Sequence, residues 1–142
     1  MSRFWQHFIT NGGEDAAPAP APQQPTDGEA LDAFSRVVVT VAEKLRPAVV
    51  NLRVGKGMRG GAGSGVLFTP DGFLLTNHHV VQGSEKVRVR LGDGSEMHGR
   101  VVGNDPWTDL AVVQAEGDTF PYAHLGDSAK LKVGQLAVAI GS

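Results

Sequence analysis

A polar stretch, Thr76-Asn77-His78-His79-Val80-Val81, follows the apolar run Phe73-Leu74-Leu75, and thirty positions after His79 comes Asp109, directly before Leu110-Ala111-Val112-Val113. An imidazole and a carboxylate in such settings are suited to proton transfer. The imidazole accepts the proton of a nucleophile, while the carboxylate fixes its tautomer and stabilises the imidazolium that forms. Asp109 precedes a run that is apolar at successive positions, and a carboxylate buried there without a partner is costly. His79 is the natural partner. Taken alone, each residue also has a plainer explanation. A single His in a turn at a strand end is more often structural than catalytic, and Asp109 is able to open its strand as an Asx turn, as Asp105 is expected to do. His78 is expected to be a local hydrogen-bonding neighbour that competes for backbone groups of the turn. Ser64 and Ser142 are poor nucleophiles: Ser64 falls in a glycine-rich loop, and neither stands in a Gly-x-Ser-x-Gly elbow. Metal binding by His78, His79, His98 and His124 is disfavoured, because adjacent His in a strand point apart and no carboxylate sits at ligand spacing.

The order His, then Asp, with a serine to follow is that of chymotrypsin rather than of subtilisin or the α/β-hydrolases. Further motifs surround the pair: Pro47-Ala48-Val49-Val50-Asn51 and Gly63-Ser64-Gly65-Val66 before it, Asp109-Leu110-Ala111-Val112 and Val138-Ala139-Ile140-Gly141 at and after its acidic member. In this order they closely resemble the HtrA (DegP/DegS-like) family of trypsin-fold serine proteases, from about Leu31 to the C-terminus. The resemblance implies that His79, immediately before the Val pair, is the catalytic base and Asp109 its orienting partner. Position 78 is often Asn in that motif, so His78 is a departure. It also implies a serine endopeptidase (EC 3.4.21.-) that needs no cofactor, acts on misfolded or unstructured polypeptide and forms a trimer-based homo-oligomer. A second barrel would supply the Gly-Asn-Ser-Gly-Gly-Pro nucleophile loop, the oxyanion hole and the S1 pocket, and a PDZ domain often follows. On this reading the sequence stops before the catalytic Ser and is expected to be inactive alone. The family is commonly exported to the bacterial periplasm. No secretory signal is visible, which leaves the cytoplasm open.

Composition narrows the alternatives. A chain of 142 residues suits one domain with a workable core. A formal charge of −2 argues against a nucleic-acid partner. The absence of Cys excludes disulfides, a thiol nucleophile and a Cys-based zinc site. Nineteen Gly fit a body rich in strands and turns better than a helical one. No apolar run reaches the 18 or so residues of a membrane span.

Along the chain, residues 1–25 are expected to be a disordered Ala/Pro-rich segment. Gln6 and His7 interrupt its only apolar cluster, so it is not a secretory signal. Thr26-Asp27-Gly28-Glu29 has capping-box spacing, and Leu31, Phe34, Val38, Val41, Ala42 and Leu45 recur at helical spacing. A helix is therefore predicted over 26–46, stopped by Pro47, although the β-branched run 37–41 works against it. Strands are predicted over 48–54, 66–68 and 73–75, the last two flanking the turn Thr69-Pro70-Asp71-Gly72. More follow over 86–91, with strict alternation, over 96–103, over 110–113, and over 135–140 with Leu136, Val138 and Ile140 on one face. The stretch 55–63 is predicted to be a mobile glycine-rich loop. It is no phosphate cradle, since no Gly-Lys-Ser/Thr follows. The fold class is mainly β. Residues 47–142 are read as the first, six-stranded antiparallel β-barrel of a two-barrel trypsin-like (chymotrypsin-fold) protease, behind a short N-terminal helix.

Two other functions fit the same residues. One is a non-catalytic binding or scaffold module, and the other is a pseudoprotease half that needs a partner chain. A Gly-Asn-Ser-Gly-Gly motif in a continuing reading frame favours the protease, and a stop codon with no downstream half favours the binding module.

Overall fold

The computed structural model describes residues 26–55 and 61–142. The expectations for residues 1–25, and for residues 56–60 of the glycine-rich loop, lie outside the described residues. By compactness the chain divides after Asp32 into two units. The described part of the first, from Thr26, begins helix α1 (Asp27–Leu45). Its capping box is formed: the Thr26 N–H donates to Glu29 Oε2 at 2.9 Å, and the Glu29 N–H donates to Thr26 Oγ1 at 3.3 Å. The helix persists through Val37, Val38 and Val39, so the good helix formers around them outweigh the cost of β-branching. It ends where Pro47 enters, in a single 3₁₀ turn, Arg46–Ala48.

The second unit holds six strands, β1 (Val49–Arg53), β2 (Ala62–Leu67), β3 (Phe73–Thr76), β4 (Lys86–Arg90), β5 (Glu96–Asp105) and β6 (Leu110–Ala115). A one-turn helix, α2 (His78–Val81), lies between β3 and β4. All pairings are antiparallel, and the order β1-β2-β3-β6-β5-β4 closes into a barrel through β1 and β4. Alternation does the sorting. Val50, Leu52, Leu67, Leu74, Val89 and Val113 point inward and are fully buried, while Arg88, Arg90 and Arg100 face water. Gly65 and Gly99 also face inward, where a Cβ at Gly99 would lie 2.8 Å from Val113 Cγ1. The barrel interior is filled by these packed side chains.

Two departures from the sequence reading have physical causes. The strand β2 starts at Ala62, earlier than the predicted loop allows, because β1 holds Gly63 opposite Leu52 and Ser64 opposite Asn51. Residues 135–140 form no strand. Ladder hydrogen bonds need a free strand edge, and closure of β1 on β4 removes both edges of this sheet. The chain after β6 instead runs over the outside. Phe120 is buried on the β2–β3 hairpin, its N–H donating to Pro70 O at 3.0 Å, and the Ala123 N–H donates to Leu67 O at 2.8 Å. Gly72 at the hairpin turn has φ +89°, and a Cβ there would collide with the Phe120 ring. No helix among the described residues is long and apolar enough to cross a membrane.

Candidate active site

Strands β3 and β6 are neighbours, with Thr76 opposite Ala111, so the residue after β3 and the residue before β6 emerge at the same barrel rim. Thr76 is buried and anchors that corner by donating its hydroxyl to Ser64 O at 2.8 Å. The chain leaves β3 through Asn77 into α2, which carries His79 in its first turn. Across the rim, Asp105 gathers the turn before β6: its Oδ1 accepts the Trp107 N–H at 2.9 Å and its Oδ2 accepts the Thr108 hydroxyl at 2.8 Å. This is the Asx-type role expected of it. The turn delivers Asp109 with φ +53°, the one non-glycine residue with positive φ among the described residues. Such backbone persists only where surrounding contacts hold it.

Those contacts converge on α2. Asp109 Oδ2 lies 2.8 Å from His79 Nδ1, and Asp109 Oδ1 accepts the His79 main-chain N–H at 2.9 Å. The Asp109 carbonyl accepts the His78 N–H at 3.1 Å, and the Asn77 side-chain amide reaches both Asp109 O and Oδ2 at 3.2 Å. The His79 main-chain N–H, followed by its imidazole, holds the Asp109 carboxyl below its ordinary value; the Asn77 amide adds a smaller contribution in the same direction. An ionised carboxylate only accepts hydrogen bonds, so in the neutral imidazole it selects the tautomer with the proton on Nδ1 and the lone pair on Nε2. The His79 side chain is 67% exposed, which leaves Nε2 open to an incoming group. An exposed pair of this kind adds little to stability. What the arrangement offers chemically is a tautomer-fixed base.

The other histidines are elsewhere. His78 turns from its neighbour, with Nδ1 3.0 Å from Asn104 Oδ1, so its partner is a side chain of β5 and not the turn backbone that the sequence suggested. His124 stands edge-on to Tyr122 with ring centroids 5.2 Å apart, and His98 lies in β5 opposite Arg88. No group of three or more His, Asp or Glu side chains suited to a metal ion occurs among the described residues. Ser64 is a strand residue, and its hydroxyl accepts the Ser142 N–H at 2.8 Å and donates to Ser142 O at 3.2 Å. The sequence reading quoted Asn77 but gave it no part. Its place directly before the His pair, at the N-cap of α2, was the available signal.

Comparison with known proteins adds to this geometry. The family described as trypsin-like peptidase domain matches residues 63–142. A Pseudomonas putida (strain GB-1) protein named "Probable periplasmic serine endoprotease DegP-like" is 50% identical over 80 residues, covering 56% of this chain and 17% of the relative. A protein of the same name from Marinomonas sp. (strain MWYL1) is 47% identical over 87 residues, covering 61% of this chain and 19% of the relative. Among solved structures, "HtrA-type protease AlgW with tripeptide" superposes with a TM-score of 0.63 at 37% identity, over 68% of this chain and 32% of that one. The serine endoprotease from Yersinia pestis gives a TM-score of 0.56 at 30% identity, over 70% of this chain and 33% of that one. The chain thus spans less than a fifth of the length of these curated relatives.

Proposed function

The chain belongs to the trypsin-like peptidase family, among proteins of the HtrA and DegP kind, and from that premise we propose that it is the base-bearing barrel of a serine endopeptidase. His79 is the general base and Asp109 its orienting partner. The observation that carries this reading is the 2.8 Å contact between His79 Nδ1 and Asp109 Oδ2 at an open rim, with Nε2 left free. The nucleophilic serine and the oxyanion donors come from a second barrel beyond these residues. Substrates are unfolded or misfolded polypeptides, the working form is a trimer-based homo-oligomer, and the compartment is the periplasm named for the relatives.

In the mechanism, His79 Nε2 takes the serine hydroxyl proton as the oxygen attacks the peptide carbonyl, then returns it to the leaving amine. Asp109 stays ionised and holds the imidazolium in place.

The test is hydrolysis of casein by the longer polypeptide that includes the serine loop. Cleavage is expected, absent in His79→Ala and lowered by about 10⁴-fold in kcat in Asp109→Asn, where the imidazole is held in the wrong tautomer. The 142-residue chain alone should not cleave, because triad members act as a unit. A longer enzyme indifferent to His79→Ala would remove the catalytic reading and leave the binding-module one.

A further inference from the structure

Asn77 occupies the N-cap position of α2, with the extended backbone (φ −84°, ψ 145°) usual there, yet its side chain makes no capping hydrogen bond. An Asn at that position ordinarily accepts an N–H from the second or third helical residue. Here the second residue is His79, and its N–H is taken instead by Asp109 Oδ1, from across the rim. The capping duty has passed to the carboxylate of the turn before β6. Asn77 has turned over and acts as a donor, its Nδ2 reaching Asp109 O and Asp109 Oδ2 at 3.2 Å each. Both partners are acceptors, so only the amide nitrogen can face them. One side chain thus grips the main chain and the carboxylate of a residue held at φ +53°.

We infer that Asn77 is a positioning residue for the proposed site: it gives up capping its own helix in order to hold Asp109 against His79. The inference rests on the reading of His79 and Asp109 as base and orienter. It also differs from plain helix stabilisation in a measurable way. Ser and Asp are good N-caps, and either at position 77 can take the His79 N–H itself. An ionised Asp cannot donate at all, and Ser has one hydroxyl hydrogen on a shorter side chain. Neither can therefore grip both Asp109 oxygens as the Asn77 amide does, although each preserves or improves the start of α2. A capping role and a positioning role therefore respond to these substitutions in opposite ways.

The experiment uses the whole 142-residue chain, labelled with ¹⁵N in the histidines and ¹³C in the aspartate carboxyls, as wild type, Asn77→Ser and Asn77→Asp. In the wild type, the His79 ring nitrogens should report the Nδ1–H tautomer and Asp109 should titrate below its ordinary value. In Asn77→Ser the tautomer is expected to shift toward Nε2–H. The Asp109 midpoint should rise by more than the loss of one minor donor accounts for, because the larger contributions from His79 depend on the same alignment. Asn77→Asp should act in the same direction and more strongly, since it sets two carboxylates face to face. The unfolding midpoint of Asn77→Ser should move little, because a Ser cap on α2 offsets the small stability lost as the Asp109 midpoint rises. In the longer, serine-bearing enzyme, Asn77→Ser should lower kcat by about 10- to 100-fold with KM unchanged, the range set by a lost hydrogen bond to a charged group. An unaltered tautomer and Asp109 midpoint in folded Asn77→Ser would overturn the inference and leave the endopeptidase reading standing. A longer enzyme indifferent to His79→Ala would remove that reading while leaving the tautomer measurement valid.

Discussion

Asp109 accepts hydrogen bonds from His79 through both carboxylate oxygens, and that shared dependence makes the site sensitive to acid. Its carboxyl is held below the ordinary value, the His79 N–H being the largest cause. A carboxylate depressed by folding contributes stability that is complete above its unfolded value, about 3.9, and lost as pH falls through the lower folded value. Glu29, Asp93 and Asp105 are lowered in the same direction by local hydrogen bonds to Thr26, Ser95 and Thr108. Urea unfolding from about pH 5 down to about pH 2 should therefore show the wild type losing stability slightly more steeply than Asp109→Asn. The difference is small because the pair is exposed and the other three groups are common to both. Equal slopes would mean that the Asp109 contacts do not persist in solution. At this scale the sequence brought the right pair together but said less about direction. Residue type, order and flanking motifs single out His79 and Asp109, and the structure sets their side chains 2.8 Å apart. That Asn77 donates where an N-cap normally accepts was not legible. It follows from Asp109 arriving across the β3–β6 pairing, a fact of tertiary structure.

The strands were legible through their period of two. Strict alternation in Lys86-Val87-Arg88-Val89-Arg90 is what a half-buried strand requires, and Val87 and Val89 are buried while the charges are exposed. Residues 135–140 show where that signal stops. Alternation is necessary for a strand, but a strand also needs an unpaired neighbour, and a closed barrel offers none. Closure also makes interior volume a fixed quantity. At Gly99 an added methyl would meet Val113 Cγ1 at 2.8 Å, Val89 Cγ2 at 3.0 Å and Val87 Cγ2 at 3.1 Å. Gly99→Ala is expected to destabilise the chain by about 1–3 kcal/mol through overpacking. Leu74→Ala, which opens a void at a fully buried site, should cost about 2–5 kcal/mol. Urea midpoints at constant m-value check both. A neutral Gly99→Ala would show that β4 and β6 can separate slightly without losing their pairing to β5.

Over the whole molecule, the barrel interior accounts for only part of the apolar surface. The segment after β6 is tethered by Phe120 and Ala123 and again by Ser142 on Ser64, yet between these anchors Leu125, Leu131, Val133 and Leu136 are half or more exposed. At the rim, Trp107 is 96% exposed and Leu110, entering β6, is 50% exposed. Leu110 thus stands uncovered beside Asp109. Scattered exposed leucines are ordinary, but a run of them along one extended segment forms the kind of patch that draws a partner. The further barrel of the proposed endopeptidase would cover such surface. In a solution of this chain alone, the nearest apolar surface is a second copy. Sedimentation velocity should accordingly show mass increasing with concentration. Leu131→Ser combined with Leu136→Ser should reduce that association while moving unfolding stability by only about 0.5 kcal/mol per site, since neither side chain is buried. A strictly monomeric wild type at every attainable concentration would contradict this, as would association unchanged in the double variant. The second result would shift attention to Trp107 and Leu110, and Trp107→Ser, assayed in the same way, would show whether the rim carries the contact.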